Sequence, residues 1–79
     1  MQKLPIVSSK EIVRVLQKAG FEYAPQRGKG SHLAFVKKDK DRTRLVILPE
    51  KKEIPKGTLL SILEQAGLSK EEFVGLLKV

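Results

Sequence analysis

Two apolar runs separated by a short charged stretch set the strongest constraint on this chain. Leu33-Ala34-Phe35-Val36 falls in the segment Ser31 to Lys37, and Leu45-Val46-Ile47-Leu48 in the segment Thr43 to Pro49. Lys38-Asp39-Lys40-Asp41 lies between them. Each segment has strand length and is bounded by turn-forming residues, and so short a connection joins only adjacent, antiparallel strands. The pair is therefore predicted to be a β-hairpin. Both runs are apolar at consecutive positions, so alternation leaves open which face of the hairpin each residue takes, His32 included.

The flanking sequence supplies the cover that such a hairpin needs. Ser8-Ser9-Lys10-Glu11 has the form of a capping box, with Ser8 as the cap and Glu11 reaching back three residues later. Ile12, Leu16 and Ala19 then recur at helical spacing, Val13 and Val15 widen the stripe, and Arg14, Gln17 and Lys18 form the outer face. This predicts a helix over residues 9–19, ended by Gly20 in the left-handed position. Phe21 to Gln26 has strand character and is closed by Pro25 and the loop Arg27-Gly28-Lys29-Gly30. A second helix is expected from Pro55, as its first helical residue, to Gly67, burying Leu59, Ile62, Leu63 and Ala66. Ser69-Lys70-Glu71-Glu72 is another capping box, opening a short helix that carries Phe73, Val74, Leu76 and Leu77. The expected fold class is α+β. The layout is αβββα with a three-stranded antiparallel meander, helices packed on one face, and an additional short C-terminal helix. Residues 1–79 are read as one domain.

A chain of 79 residues buries only roughly 60% of the surface its unfolded state exposes. Any site is therefore a shallow surface feature, which favours a large substrate over a small molecule held in a deep cavity. The absence of cysteine excludes a disulfide framework and thiolate metal sites. A single histidine makes a metal centre improbable, so neither metal nor cofactor is expected. No apolar run approaches the roughly 18 residues of a membrane span, and the segment MQKLPIVSS lacks a secretory leader's core. The expectation is a cytoplasmic protein without a membrane partner.

Charge is more informative. The chain carries 16 Lys+Arg against 9 Asp+Glu. Ten of the basic residues but only four of the acidic ones fall between Gln26 and Lys56, an excess of +6, and the remainder is nearly neutral. A cationic middle between neutral ends implies a positive face, and a polyphosphate is its commonest partner. A solvated lysine-rich surface would have the same composition.

Few residues can do chemistry. His32 leads, because an imidazole can give or take a proton near neutrality. RNA brings its own nucleophile, the 2′-hydroxyl beside each phosphate. An enzyme need only move protons and stabilise the phosphorane, and acid–base help of this kind is worth on the order of 10²–10⁴ in rate. Gly28, Gly30 and Ser31 precede His32 and leave room for a bulky strand, while Arg27 and Lys29 flank it. Read alone, a histidine at the start of a strand is better explained by idle solvation. The start of the second helix is the other feature. Free N–H groups there, with Lys51, Lys52, Lys56 and Thr58 close in sequence, make an anion site, or simply an ordinary helix start. The aromatics Phe21, Tyr23, Phe35 and Phe73 are not interleaved with lysines as in single-strand stacking platforms and are mostly assigned to the core.

Gly30-Ser31-His32 at the head of a strand resembles the signature of the HicA (YcfA-like) toxin family. So do Leu16-Gln17-Lys18-Ala19-Gly20-Phe21, Lys56-Gly57-Thr58-Leu59 with Ile62-Leu63, and Gln65-Ala66-Gly67-Leu68-Ser69 with Glu71-Glu72-Phe73. Each motif is weak alone, and their order and spacing make the likeness, which extends from Leu4 to Leu77. The resemblance implies a double-stranded-RNA-binding-like fold and a metal-independent endoribonuclease that cleaves mRNA through the histidine matched by His32. It also implies a HicB-type antitoxin that covers the site. The chain departs from the family where many members carry a second histidine after the proline matched by Pro49, since Glu50-Lys51-Lys52 stands here. Arg27-Gly28-Lys29 also makes the preceding loop longer than usual. From another class, a non-catalytic RNA-binding module would use the same fold and charge, and a protein-interaction domain with an acidic partner is a third reading. The absence of Asn and Cys, with 32% charged residues, matches a pattern seen in heat-adapted proteins.

Overall fold

The computed structural model describes residues 4–79. Its elements are helix α1 (Ser9–Lys18), strand β1 (Glu22–Tyr23), a 3-10 turn (Pro25–Arg27), strands β2 (His32–Lys38) and β3 (Thr43–Pro49), and helices α2 (Lys56–Ala66) and α3 (Lys70–Lys78). The sheet is an antiparallel meander in the order β1-β2-β3. This is the expected α+β arrangement, αβββα followed by one more helix.

The two capping boxes form as the sequence predicts. The Ser8 hydroxyl accepts from the Glu11 N–H while Glu11 Oε1 accepts from the Ser8 N–H at 3.0 Å. Ser69 and Glu72 repeat the exchange at the head of α3. Each box satisfies two of the donors that a helix start leaves orphaned. α1 stops one residue short of the expected 9–19, with Ala19 as its cap. Gly20 and Gly67 adopt positive φ, as the helix-end reading requires. Two expectations shift. Pro55 is the cap of α2 rather than its first helical residue, and it offers no side-chain bond to the first turn. The strand expected over Phe21 to Gln26 shrinks to two residues because Pro25, lacking an N–H and fixed in φ, starts a 3-10 turn instead.

Register settles the question that alternation left open. β2 and β3 pair from His32↔Pro49 to Lys38↔Thr43, with Phe35 opposite Val46 and Leu33 opposite Leu48. Phe35, Val46 and Leu48 are buried against the helices, where they meet Ile12, Leu16, Leu59, Ile62 and Phe73. His32, Ala34, Val36 and Lys38 therefore point to the opposite, outer face, with Ile47 and Leu45 beside them on β3. Of the four aromatics, Phe21, Phe35 and Phe73 are in the core, whereas Tyr23 on the edge strand is half-exposed and tilts against Phe35 at 5.5 Å. Burying a Phe or Leu side chain contributes roughly 1.5–3 kcal/mol each, so this one-layer core depends on a handful of residues.

The free edge of β3 is partly closed. The Ile47 N–H donates to Gln65 Oε1 of α2 at 3.0 Å. Pro49, on the same edge, has no N–H to offer, which suits proline to that position. At the far end Arg44 packs its guanidinium beneath Gly67, where an added Cβ would lie 2.7 Å from Arg44 Cζ. A cation at the carbonyl end of α2 is favourably placed. These contacts put the C-terminal end of α2 beside the hairpin turn and aim its N-terminal end toward the end of the sheet that holds His32.

Candidate functional site

The segment leading into β2 is shaped by its glycines. Gly28 follows the 3-10 turn with ordinary extended torsions, but a Cβ there would lie 2.6 Å from the His32 carbonyl oxygen. Only glycine lets the loop lie this close to the strand. Gly30 has φ +61 and sits in a turn closed by the His32 N–H donating to the Lys29 carbonyl at 3.1 Å. The turn delivers His32 to the first position of β2, exposed on the outer face. Among the described residues no side chain hydrogen-bonds to its imidazole. Arg27, Lys29 and Ser31 are exposed beside it.

The chain after β3 is fastened to the same place. The Glu50 N–H donates to the Ser31 carbonyl at 2.9 Å, extending the β2–β3 ladder by one step. The Lys51 backbone is then gripped by Ser9 at the head of α1. The Ser9 N–H donates to the Lys51 carbonyl at 3.0 Å, and the Lys51 N–H donates to Ser9 Oγ at 3.2 Å. The Ile54 N–H donates to the Val7 carbonyl at 2.8 Å and fixes the end of this strap. Backbone bonds thus join segments around residues 9, 31 and 51, leaving the Lys51 and Lys52 side chains exposed. A shallow groove lined by Ser8, Ser9, Lys10, Glu50, Lys51 and Lys52 runs along this junction.

The remaining sequence candidates lie on α2. Lys56 is exposed and Thr58 half-buried in its first turn, at the end of the helix directed toward His32. No hydrogen bond joins them to the His32 loop among the described residues. Ser9 was not singled out by the sequence beyond its place in the helix start, because its partner lies 42 positions away. Among the described residues Ser9 is also the one polar residue whose side chain is buried.

The ten basic residues of the middle segment do not form one continuous face. Arg27, Lys29, Lys51, Lys52 and Lys56 fall at or toward the His32 end, whereas Lys37, Lys38, Lys40, Arg42 and Arg44 lie at the hairpin turn. At the turn, Asp39 accepts from the Lys40 N–H at 2.9 Å and from Arg44 Nε at 3.4 Å. These bonds, the backbone one foremost, hold its carboxyl below the ordinary carboxylate value. No group of three or more potential metal ligands exists among the described residues, and no helix there is long and apolar enough to cross a membrane.

Residues 9–68 match the family model described as HicA toxin of bacterial toxin–antitoxin. That span runs from the start of α1 to just past α2, includes all eight candidate site residues and leaves out α3. No curated protein matches the chain.

Proposed function

This chain belongs to the HicA toxin family of bacterial toxin–antitoxin systems, and on that footing we propose that it is a metal-independent endoribonuclease that cleaves mRNA and arrests translation. His32 is the catalytic residue. One observation carries the reading: an exposed imidazole at the head of β2, with a glycine turn on one side and the backbone-fastened Lys51-Lys52 strap on the other.

The chemistry asks little of so shallow a site. The 2′-oxygen attacks the adjacent phosphorus, a P–O bond to the 5′-oxygen breaks, and a 2′,3′-cyclic phosphate and a 5′-hydroxyl result. One proton leaves the 2′-hydroxyl and one arrives at the 5′-oxygen. His32 transfers one of them as general base or general acid, and water or a lysine handles the other. Arg27, Lys29, Lys51 and Lys52 neutralise the phosphate and favour the phosphorane. Ser31, Lys56 and Thr58 contact the RNA backbone on either side, the last two with the free N–H groups of the first turn of α2. A HicB-type antitoxin covers this surface in the cytoplasm until it is degraded.

The test is cleavage of RNA in EDTA by the wild-type protein and by His32→Ala, with circular dichroism establishing that both are folded. Cutting by the wild type alone is expected, and equal cutting by both removes His32 from the reaction. The second reading, a non-catalytic RNA-binding module, is favoured by the lack, among the described residues, of a side-chain partner to orient the imidazole. It predicts RNA binding without cleavage by either protein.

A further inference from the structure

We propose that the tip of the β2–β3 hairpin is a second anchor for the phosphate backbone of a single RNA strand, which runs from His32 across the outer face of the sheet. The proposal rests on the RNA reading above and assigns a role to the half of the positive charge that the site at His32 does not use.

Register places His32 and Lys38 on the same face of β2, at its two ends. Six strand steps separate them by about 20 Å. That distance exceeds the screening length of roughly 8 Å in physiological salt, so the two ends act as independent anion sites rather than one diffuse field. The cations at the tip divide into two groups. Lys37 lies over the Phe21 ring at 5.7 Å, and Arg44 is occupied by Asp39 and the end of α2. Lys38, Lys40 and Arg42 are exposed, and no acceptor engages their side chains among the described residues. Of the two acids in the turn, Asp39 is already bonded to Arg44 and to the Lys40 N–H, which leaves Asp41 as the only opposing charge there.

The ground between the two ends suits a nucleic acid strand. The helices pack on the other face, and β2 and β3 present Val36, Leu45 and Ile47 outward around the fully buried Ala34, with the exposed Glu22 of β1 beside Val36 as the carboxylate nearest this strip among the described residues. Leu45 is 38% exposed. A base or ribose can lie on this apolar strip while phosphates meet cations at both ends. A strand long enough to reach both anchors gains affinity through effective concentration, without any new contact at the first.

The experiment uses the full chain carrying His32→Ala, so that RNA stays intact. Labelled single-stranded RNAs of about 4 and about 16 nucleotides, spanning the site sizes of small single-strand binders, are titrated across a salt series. The same is done after adding Lys38→Ala, Lys40→Ala and Arg42→Ala together, with circular dichroism to confirm folding. The longer RNA is expected to bind the triple variant at least tenfold more weakly, with the slope of log affinity against log salt reduced by about 2. The shorter RNA should bind both proteins alike, and Asp41→Asn should tighten only the longer one. An unchanged slope for the longer RNA overturns the anchor while leaving the RNA reading intact. Equal weakening of the shorter RNA also overturns it, because the tip would then be the primary site. Unchanged RNA binding with lost affinity for an acidic peptide would assign the tip to a protein partner instead. Failure of the parent protein to bind either RNA overturns the RNA reading and the anchor together.

Discussion

Gly28→Ala should destabilise the protein, although the backbone torsions at that position would welcome alanine. Gly28 has φ −91 and ψ 156, an extended conformation open to any residue. On torsion alone, alanine would stabilise by about 0.4–1 kcal/mol through the unfolded chain. Against this stands the Cβ placed 2.6 Å from the His32 carbonyl oxygen and 3.4 Å from the Ala34 nitrogen. Both are backbone atoms of the central strand, so no side chain can swing aside and the loop must lift. Overpacking of this kind typically costs about 1–3 kcal/mol. The steric effect wins, leaving a net loss of about 1–2 kcal/mol and, for a domain of this size, a Tm lowered by roughly 5–15 °C. Gly75→Ala is the internal control, since that exposed glycine of α3 has nothing within 4 Å of an added Cβ. It should stabilise by up to about 1 kcal/mol through helix propensity. Urea denaturation of the two variants beside the wild type gives both signs. A Gly28→Ala protein as stable as the wild type would show that the loop does not lie on β2 at this distance.

Three other perturbations follow from the packing and the caps. Phe73 is fully buried and joins α3 to the core, so Phe73→Ala should cost about 3–5 kcal/mol; a denaturation midpoint close to that of the wild type would mean that α3 is not docked. Ser9→Ala removes the acceptor of the Lys51 N–H and should cost about 1 kcal/mol, with amide exchange accelerated at Lys51 rather than throughout β3. The Ser69 N–H, and then its hydroxyl, hold the Glu72 carboxyl below its ordinary value of 4.5. The cap's contribution is therefore full above that pH and is lost as the pH falls through the depressed value. The stability gap between the wild type and Glu72→Ala should persist at neutrality and close in acid, and a gap independent of pH would refute the assignment.

Local rules made much of this fold legible. The capping boxes at Ser8 and Ser69 and the left-handed glycines 20 and 67 act within a few residues, and all appear where the sequence predicts them. The hairpin was readable for the same reason. Its register was not, because both runs are apolar and only the helices decide which face turns inward. The fate of the first strand depended on whether Pro25 would end a strand or begin a turn, and strand length alone did not reveal it. At the candidate site, His32 and the glycines before it are contiguous in sequence. The fastening of Lys51 by Ser9 spans 42 positions and leaves no local trace. The division of the positive charge between two ends follows from strand length, which a count of lysines does not contain.

The strap from Glu50 to Ile54 is held by main-chain bonds and by Ser9, not by the side chains of Lys51 and Lys52. Those two positions can therefore change identity while the scaffold beneath them stays in place. Such a segment separates what the surface presents from what holds the fold together, so the presented side chains can drift without a toll on folding.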